Sequence, residues 1–189
     1  MTLNNKTIGI LGGGQLGKMT AIAAKKLGYH TFLYCPKGDN PAKCSVNEYI
    51  YGNWDDNKKL ELFGSKVDVI TSEFENIPAK TLDNLSKMTK VFPSSFCFNI
   101  AQYRNKEKEM AVKSGFLVPK WYRIYSLEDL IKYSKILKDN CILKTNSLGY
   151  DGKGQVNISS KTNFKKIWSE INFNDCILEE RLNFDREVS

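Results

Sequence analysis

Hydrophobic and polar positions change their period repeatedly along the first hundred residues, and each change predicts a different element. Short β-branched, apolar runs are typical of buried parallel strands, whereas apolar residues that recur every three or four positions indicate helices. The predicted strands lie at 7–11, 30–34, 49–51 and 67–71. The predicted helices lie at 15–27 and 56–63 and from Pro78 onward. Because strands alternate with helices, we expect a parallel sheet covered on both faces.

The first predicted helix follows three glycines and has apolar residues at helical spacing. These residues are Leu16, Met19, Ala23 and Leu27. Gly28 follows them, and glycine is typical of the position after a helix because it adopts a left-handed backbone at little cost.

The pattern changes after about residue 99. Here the predicted elements are a Lys- and Glu-rich helix at 104–113, a strand at 121–125, a helix from Ser126 to 137, strands at 141–144 and 155–158, a helix at 164–171 and a strand at 176–178. We therefore predict an α/β protein with two domains. Residues 1–98 form a Rossmann-like parallel sheet, and residues 99–189 form an α+β unit.

Composition and charge exclude several classes of protein. The chain has 189 residues, 41% hydrophobic and 26% charged, which is typical of globular proteins and excludes disordered, collagen-like and coiled-coil chains. No apolar run approaches the roughly 18 residues of a membrane span, and the N-terminus lacks a signal-peptide pattern. The five scattered cysteines form no C-x-x-C pair, which predicts reduced thiols in a cytoplasmic protein without a membrane partner.

The net charge of +7 favours anionic partners. Basic residues are nevertheless spread from Lys6 to Arg186. A nucleic-acid-binding surface would cluster them among aromatic residues, so we expect no nucleic acid partner.

The first glycine loop, 12–17, fits the pattern G-x-G-x-x-G between a strand and a helix. Such a loop brings backbone N–H groups and a helix N-terminus to an anion. A dinucleotide site also needs an acidic residue at the end of the second strand, where this chain has Tyr34-Cys35-Pro36, so an NAD-dependent dehydrogenase is disfavoured. A P-loop needs a hydroxyl where Met19 stands. The loop therefore predicts a phosphate or anion site, with tight strand–helix packing as the alternative.

The second glycine loop, 149–155, follows the strand that ends at Lys144 and contains Lys153. Backbone N–H groups and a lysine in such a loop can fold over a polyphosphate. An ordinary long hairpin is the alternative.

These motifs together resemble the 5-(carboxyamino)imidazole ribonucleotide synthases, the ATP-grasp carboxylases of purine synthesis. The resemblance covers the whole chain, in order. It rests on the first glycine loop, Ser72-Glu73-Phe74-Glu75-Asn76-Ile77-Pro78, Ala101-Gln102-Tyr103-Arg104, and Lys144 with the second glycine loop. The resemblance implies a pre-ATP-grasp domain followed by the lid subdomain of an ATP-grasp domain, truncated in this chain.

The resemblance also implies roles for individual residues. The implied ATP-binding residues are Arg104, Lys144, Gly149, Tyr150, Asp151, Gly152, Lys153, Gly154, Gln155, Glu179, Glu180, Arg181, Leu182 and Glu187. The implied ribonucleotide-binding residues, by analogy with the related formate-dependent transformylase, are Gln15, Leu16 and Glu73. Taken alone, Glu179 and Glu187 are ordinary surface acids, and Glu75 and Asn76 could equally cap the helix that starts near Pro78.

The implied reaction uses ATP and Mg²⁺. Bicarbonate attacks the γ-phosphate to give carboxyphosphate, and the amine of aminoimidazole ribonucleotide then takes the carboxyl group. The family is generally dimeric and about twice this length, so we expect the magnesium ligands beyond Ser189, no catalytic residue assignable within 1–189, and no turnover by this chain alone. The alternative is another ATP-grasp ligase, such as formate-dependent glycinamide ribonucleotide transformylase.

Overall fold

The computed structural model describes residues 5–149, 154–170, 175–186 and 188. The chain divides into two units, Met1–Asn99 and Ile100–Ser189. No helix of the described residues combines the length and the apolar character that crossing a membrane requires.

The first unit is built on a five-stranded, all-parallel sheet. Its strands are β1 (Thr7–Leu11), β2 (His30–Cys35), β3 (Glu48–Tyr51), β4 (Val69–Ser72) and β5 (Lys90–Val91), in the order β3-β2-β1-β4-β5. Its helices are α1 (Gln15–Lys26), α2 (Asn57–Gly64), α3 (Ala79–Ser86) and α4 (Ser95–Ala101), with a 3-10 turn at Pro41–Ser45. The predicted Rossmann-like parallel sheet is confirmed.

Apolar runs mark this sheet because both of its faces are buried. Along β2, Phe32 and Tyr34 pack with the cluster that includes Phe63 of α2, whereas Leu33 and Cys35 pack on the opposite side. Successive side chains point to opposite faces of a strand, so a sheet covered on both sides needs apolar residues at consecutive positions.

Helix α1 buries its small residues and exposes its apolar ones. Gly17, Ala21 and Ala24 are buried, whereas Leu16 and Met19 are each 60% exposed. A Cβ atom on Gly17 would lie 2.8 Å from the Gly12 carbonyl oxygen. The close approach of α1 to the loop after β1 therefore requires glycine.

The second unit is built on a four-stranded antiparallel sheet. Its strands are β6 (Trp121–Ile124), β7 (Cys141–Thr145), β8 (Gln155–Ile158) and β9 (Cys176–Glu180), in the order β6-β9-β7-β8. Its helices are α5 (Arg104–Lys113), α6 (Leu127–Ile136) and α7 (Phe164–Glu170). The predicted α+β unit is confirmed, and Ser126 caps α6 by accepting a hydrogen bond from the Asp129 backbone N–H at 3.0 Å.

The two faces of this sheet differ in character. Leu143 and Leu178 belong to an apolar cluster with Leu130 of α6, and side chains of α7 pack against that cluster. The residues that alternate with them, among them Lys144 and Glu179, line a cavity. The strands therefore carry a core and a polar site on alternate positions.

Candidate functional site

The first candidate site, which we call the glycine-loop crevice, lies at the carboxyl ends of the parallel strands. It is a cavity of about 380 Å³ lined by residues that follow β1, β2, β3 and β4, including Gly12–Gly14, Asn40, Trp54 and Glu73. The chain leaves β1 toward β2 and leaves β4 toward β5, in opposite directions along the sheet. Ligands of open α/β sheets bind where the strand order reverses in this way.

The negatively charged carboxylate of Glu73 lies at the N-terminus of helix α1. Its Oε1 accepts a hydrogen bond from the Gly14 backbone N–H at 2.8 Å. Gly14 is the N-cap of α1, which has no side-chain cap of its own. A helix N-terminus attracts anions, so the anion that meets this loop is a carboxylate of the chain itself.

Two of the glycines are required by this packing. Gly12 has a φ of +102°, and a Cβ atom there would lie 2.5 Å from Glu73 Oε1. A Cβ atom on Gly13 would lie 2.1 Å from Asn40 Oδ1. The loop is therefore shaped around the side chains of Glu73 and Asn40, and the remaining lone pairs of Glu73 can accept hydrogen bonds from a ligand hydroxyl or amine.

The structure brings the three predicted ribonucleotide-binding residues to the same end of α1. Gln15 and Leu16 are exposed on its first turn, next to Gly14, and Glu73 comes to that turn from the loop after β4. Helix α3 has Pro78 as its N-cap, without a side-chain hydrogen bond. Pro78, and not Glu75 or Asn76, thus occupies the N-cap position of α3.

The end of β2 offers an aromatic residue where a dinucleotide site would have a carboxylate. Tyr34 is fully buried, and its hydroxyl donates to the Asn53 carbonyl at 2.7 Å. Burial, with the charges of Asp56 and Asp55, raises the pKa of Tyr34 to about 12. Tyr34 therefore has a structural role at the end of β2.

The second candidate site, which we call the Lys144 pocket, lies on the polar face of the antiparallel sheet. Its volume is about 600 Å³. Six of the predicted ATP-binding residues line it: Lys144, Gln155, Glu179, Glu180, Arg181 and Leu182. They come from three strands and from the segment after β9, so residues far apart in sequence meet around one cavity.

A buried carboxylate stands between two lysines beside this pocket. Glu179 contacts Lys144 through Oε1 and Lys108 of α5 through Oε2, the latter at 2.6 Å. Burial lowers the pKa of both lysines, and the positive charge of Arg104 lowers it further. Their contacts with the carboxylate favour the charged forms. In and beside the pocket, four positive charges (Arg104, Lys108, Lys144 and Arg181) stand against three negative ones (Glu107, Glu179 and Glu180).

Arg104 connects α5 to the start of the second glycine loop. Its Nε donates to the Thr145 carbonyl at 3.0 Å, and its Nη2 donates to the Gly149 carbonyl at 3.3 Å. At the other end of the loop, the Gly154 carbonyl accepts from the Thr145 N–H at 2.8 Å. Gly149, at the start of the loop, is therefore hydrogen-bonded to Arg104, and Gly154, near its end, is hydrogen-bonded to Thr145 of β7.

Five predicted ATP-binding residues lie outside the described residues. They are Tyr150, Asp151, Gly152, Lys153 and Glu187. Their roles stay predictions.

Sequence reasoning missed residues that hold the site in place. Lys108 is one of them. Asn146 is another: its Oδ1 accepts from the Asn105 N–H at 3.0 Å, and its Nδ2 donates to Asp175 at 2.8 Å. The four-residue spacing of Arg104 and Lys108, which puts both on one helix face, was the available signal for Lys108.

Metal ligands do not gather in the described part of the chain. Among those residues, no three His, Cys, Asp or Glu side chains come together in a way that could hold a metal ion. The location of the magnesium ligands beyond Ser189 stays a prediction.

Comparison with known families matches both units. The family described as "Ribonucleotide synthetase preATP-grasp domain" matches residues 5–102, and the family described as "ATP-grasp domain" matches residues 109–189.

Curated relatives and solved structures agree with these matches. The N5-carboxyaminoimidazole ribonucleotide synthase of Brucella melitensis is 40% identical over 185 residues, which are 97% of this chain and 51% of that protein. Its Staphylococcus aureus counterpart (strain COL) is 38% identical over 183 residues, 97% of this chain and 49% of that protein. The crystal structure of N5-carboxyaminoimidazole synthetase from Staphylococcus aureus complexed with ADP has a TM-score of 0.89 and 36% identity, covering 98% of this chain and 50% of that chain. The chain thus spans about half the length of these relatives.

Proposed function

Because this chain belongs to the ribonucleotide synthetase preATP-grasp domain family, we propose that it supplies two binding sites of an ATP-dependent carboxylase. The substrate is 5-aminoimidazole ribonucleotide, the carboxyl donor is bicarbonate, and the product is 5-carboxyaminoimidazole ribonucleotide, an intermediate of purine synthesis. ATP binds in the Lys144 pocket, and the ribonucleotide binds in the glycine-loop crevice.

The observation that carries the proposal is the charge of the Lys144 pocket. Two lysines, Lys108 and Lys144, share the carboxylate of Glu179 beside a cavity that six predicted ATP-binding residues line, and the positive charge of Arg104 lies nearby. An uncompensated positive charge in a half-buried site favours a polyanion such as a triphosphate. The Staphylococcus aureus relative described above was crystallised with ADP, which supports a nucleotide as the occupant.

The reaction proceeds in two steps that balance. A bicarbonate oxygen attacks the γ-phosphorus of ATP, the bond to the β-phosphate oxygen breaks, and carboxyphosphate and ADP form. The amine of the ribonucleotide then attacks the carboxyl carbon, inorganic phosphate leaves, and the amine loses a proton. Phosphoryl transfer of this kind is catalysed mainly by positioning and charge neutralisation. The lysines of the pocket supply neutralising charge on the phosphates.

The glycine-loop crevice contributes hydrogen-bond acceptors for the ribonucleotide. Glu73 already uses one oxygen on the Gly14 N–H, and its other lone pairs accept from hydroxyl or amine groups of the substrate. Gln15 and Leu16 flank the same turn of α1. Because the carboxylate of Glu73 occupies the N-terminus of α1, that helix end does not bind the phosphate of the ribonucleotide. We expect this phosphate to be bound by other residues.

The remaining assignments follow the family. Residues 149–155, with Lys153, close over the triphosphate, and Glu187 accepts from the ribose hydroxyls of ATP. When bound, Mg²⁺ would offset the negative charge of the phosphates. We place the protein in the cytoplasm, where its five cysteine thiols stay reduced, as a homodimer in its full-length form, without nucleic acid or membrane partners.

The chain spans about half the length of its relatives, and we expect no turnover by it alone. Ligand binding is therefore the property that tests the proposal. Calorimetry with the 189-residue chain should detect ATP binding. Lys144→Met should weaken that binding at least tenfold, since the substitution removes a half-buried cation from the pocket. Lys113→Met is the matched control, because Lys113 is exposed at the end of α5. It should leave the affinity unchanged.

Calorimetry with two ribonucleotides distinguishes the proposed carboxylase from a formate-dependent transformylase. Aminoimidazole ribonucleotide should bind more tightly than glycinamide ribonucleotide, and Glu73→Gln should weaken it. Preference for glycinamide ribonucleotide would favour a transformylase, and absence of ATP binding would overturn the proposed nucleotide site.

A further inference from the structure

Glu179 is a bridge between two lysines that come from different elements. Lys144 belongs to β7, which is hydrogen-bonded to the strand of Glu179, and the two residues are diagonal neighbours on one face of the sheet. Lys108 belongs to α5 and reaches the other carboxylate oxygen at 2.6 Å. Each oxygen of one carboxylate therefore has its own cation.

Both ion pairs are shielded from water. The exposed fractions of the side chains are 8% for Glu179, 15% for Lys108 and 20% for Lys144. A carboxylate buried to this degree cannot lose its only cationic partner without a large penalty. A carboxylate with two partners can give up one of them.

The two lysines differ in their access to the pocket. Lys144 is part of the cavity wall, whereas Lys108 reaches Glu179 from α5 and is not among the lining residues. A triphosphate in the cavity can therefore draw Lys144 away from Glu179 while Lys108 stays behind.

We propose that Lys108 is a positioning residue that keeps Glu179 neutralised while Lys144 turns from Glu179 to the phosphates of ATP. The inference rests on the proposed nucleotide site and adds a role for a residue that does not touch the nucleotide. Without Lys108, Glu179 would hold Lys144, and the phosphates would have to compete with a buried carboxylate for that lysine.

The test compares ATP with adenosine, which has no phosphate. Lys108→Met should weaken ATP binding about tenfold, within the range of coupling in charged networks, and should change adenosine binding less than twofold. Lys108→Arg should restore most of the ATP affinity, because it returns the charge. Lys113→Met, on the same helix and exposed, is the control and should bind ATP as the wild type does.

A double-mutant cycle shows whether Lys108 acts through Glu179. In a Glu179→Gln background, where no carboxylate competes for Lys144, Lys108→Met should have no further effect on ATP affinity.

Lys108→Gln removes the charge but keeps a hydrogen-bond donor, and it serves as a second variant if Lys108→Met does not fold. It should show the same tenfold loss.

Several outcomes would overturn the inference. Equal losses for ATP and adenosine would show a general structural effect, unchanged ATP binding would show that Lys108 has no such role, and an undiminished loss in the Glu179→Gln background would show that it does not act through Glu179. A wild-type chain that binds no ATP would overturn the proposed function itself, a result distinct from all three.

Discussion

In the glycine-loop crevice the carboxylate of Glu73 is held by a backbone N–H, whereas beside the Lys144 pocket the carboxylate of Glu179 is held by two lysines. Glu73 is half-buried and accepts from a backbone N–H, so it meets a helix N-terminus that favours its charge. Glu179 is nearly fully buried and is held by lysine side chains. Two glycine-rich motifs that look alike in the sequence thus lie beside carboxylates that are neutralised in different ways.

The difference shows that a glycine loop defines the space for a ligand but not the sign of its charge. That sign depends on side chains brought in from elsewhere in the fold. In the first unit the loop after β4 brings an acid, and in the second unit α5 brings Arg104 and Lys108.

The largest expected effect separates the two carboxylates. Glu179→Gln should lower the free energy of unfolding by about 3 kcal/mol, because it leaves two lysines without their buried partner. Glu73→Gln should cost at most about 1 kcal/mol, because the amide oxygen can still accept from the Gly14 N–H and only the charge favoured by the helix N-terminus is lost. Urea denaturation of both variants measures the difference. The exposed pair Lys66–Glu48 provides the control, and Glu48→Gln should cost less than about 0.5 kcal/mol. Equal costs for Glu73 and Glu179 would contradict the comparison.

The next effect concerns the shape of the first loop. Gly12→Ala combines a left-handed backbone with a clash against Glu73, and we expect a loss of about 3 kcal/mol in unfolding free energy. Gly115 has a φ of +87°, and a Cβ atom added there would have no heavy atom within 4 Å. Gly115→Ala should therefore cost only the backbone strain, about 1–2 kcal/mol. If thermal and urea unfolding give the two variants equal losses, Glu73 does not crowd the loop.

A third prediction compares the buried thiols of the two sheets. Burial raises the pKa of Cys35 and Cys141 to about 11 and of Cys176 to about 12, from an ordinary value of 9.0. Their contribution to stability is fully present below about pH 9, where the unfolded thiols are also protonated, and is lost as the pH rises toward the folded values.

Urea unfolding between pH 8 and pH 10.5 should therefore show a stability loss of up to about 1.4 kcal/mol per pH unit for each thiol. Replacing Cys141 and Cys176 by alanine should flatten this dependence, whereas Cys44→Ala, at an exposed position, should not. An unaltered pH dependence in the double variant would show that these thiols do not cause it.

The smallest expected effect contrasts the caps of two helices. Helix α6 is capped by its own Ser126, whereas α1 receives its acceptor from the distant Glu73. Ser126→Ala should cost about 1 kcal/mol in unfolding free energy, and Ser126→Asp should restore it. A Ser126→Ala variant as stable as the wild type would mean that this cap contributes nothing.

Much of the fold could be predicted because its two sheets give different sequence patterns. The parallel sheet is buried on both faces, so β2 has consecutive apolar residues such as Phe32 and Leu33. The inward face of α1 could not be predicted from apolar spacing. This helix buries Gly17, Ala21 and Ala24, and at Gly17 a Cβ atom would clash with the loop after β1, whereas the larger apolar residues Leu16 and Met19 remain exposed.

The candidate site could be predicted only where a residue belongs to a motif. Lys144 and the glycine loops were recognisable, since backbone conformation and spacing restrict those positions. Lys108 was not, because a lysine on a helix with few apolar residues usually faces water. Its partner, Glu179, is 71 positions away along the chain (179 minus 108), and only the folded chain brings the two together.

The alternation along β7 and β9 has a consequence for how freely these strands can vary. Leu143 lies between Ile142 and Lys144, and Leu178 precedes Glu179, so one short backbone segment serves the apolar core and the charged cavity together. Removing a methyl group from Leu143 or Leu178 is expected to shift the backbone that also positions Lys144 and Glu179. Changes that would be tolerated as simple repacking elsewhere are therefore expected to disturb ligand recognition in these strands, which ties the evolutionary history of the interior to that of the cavity.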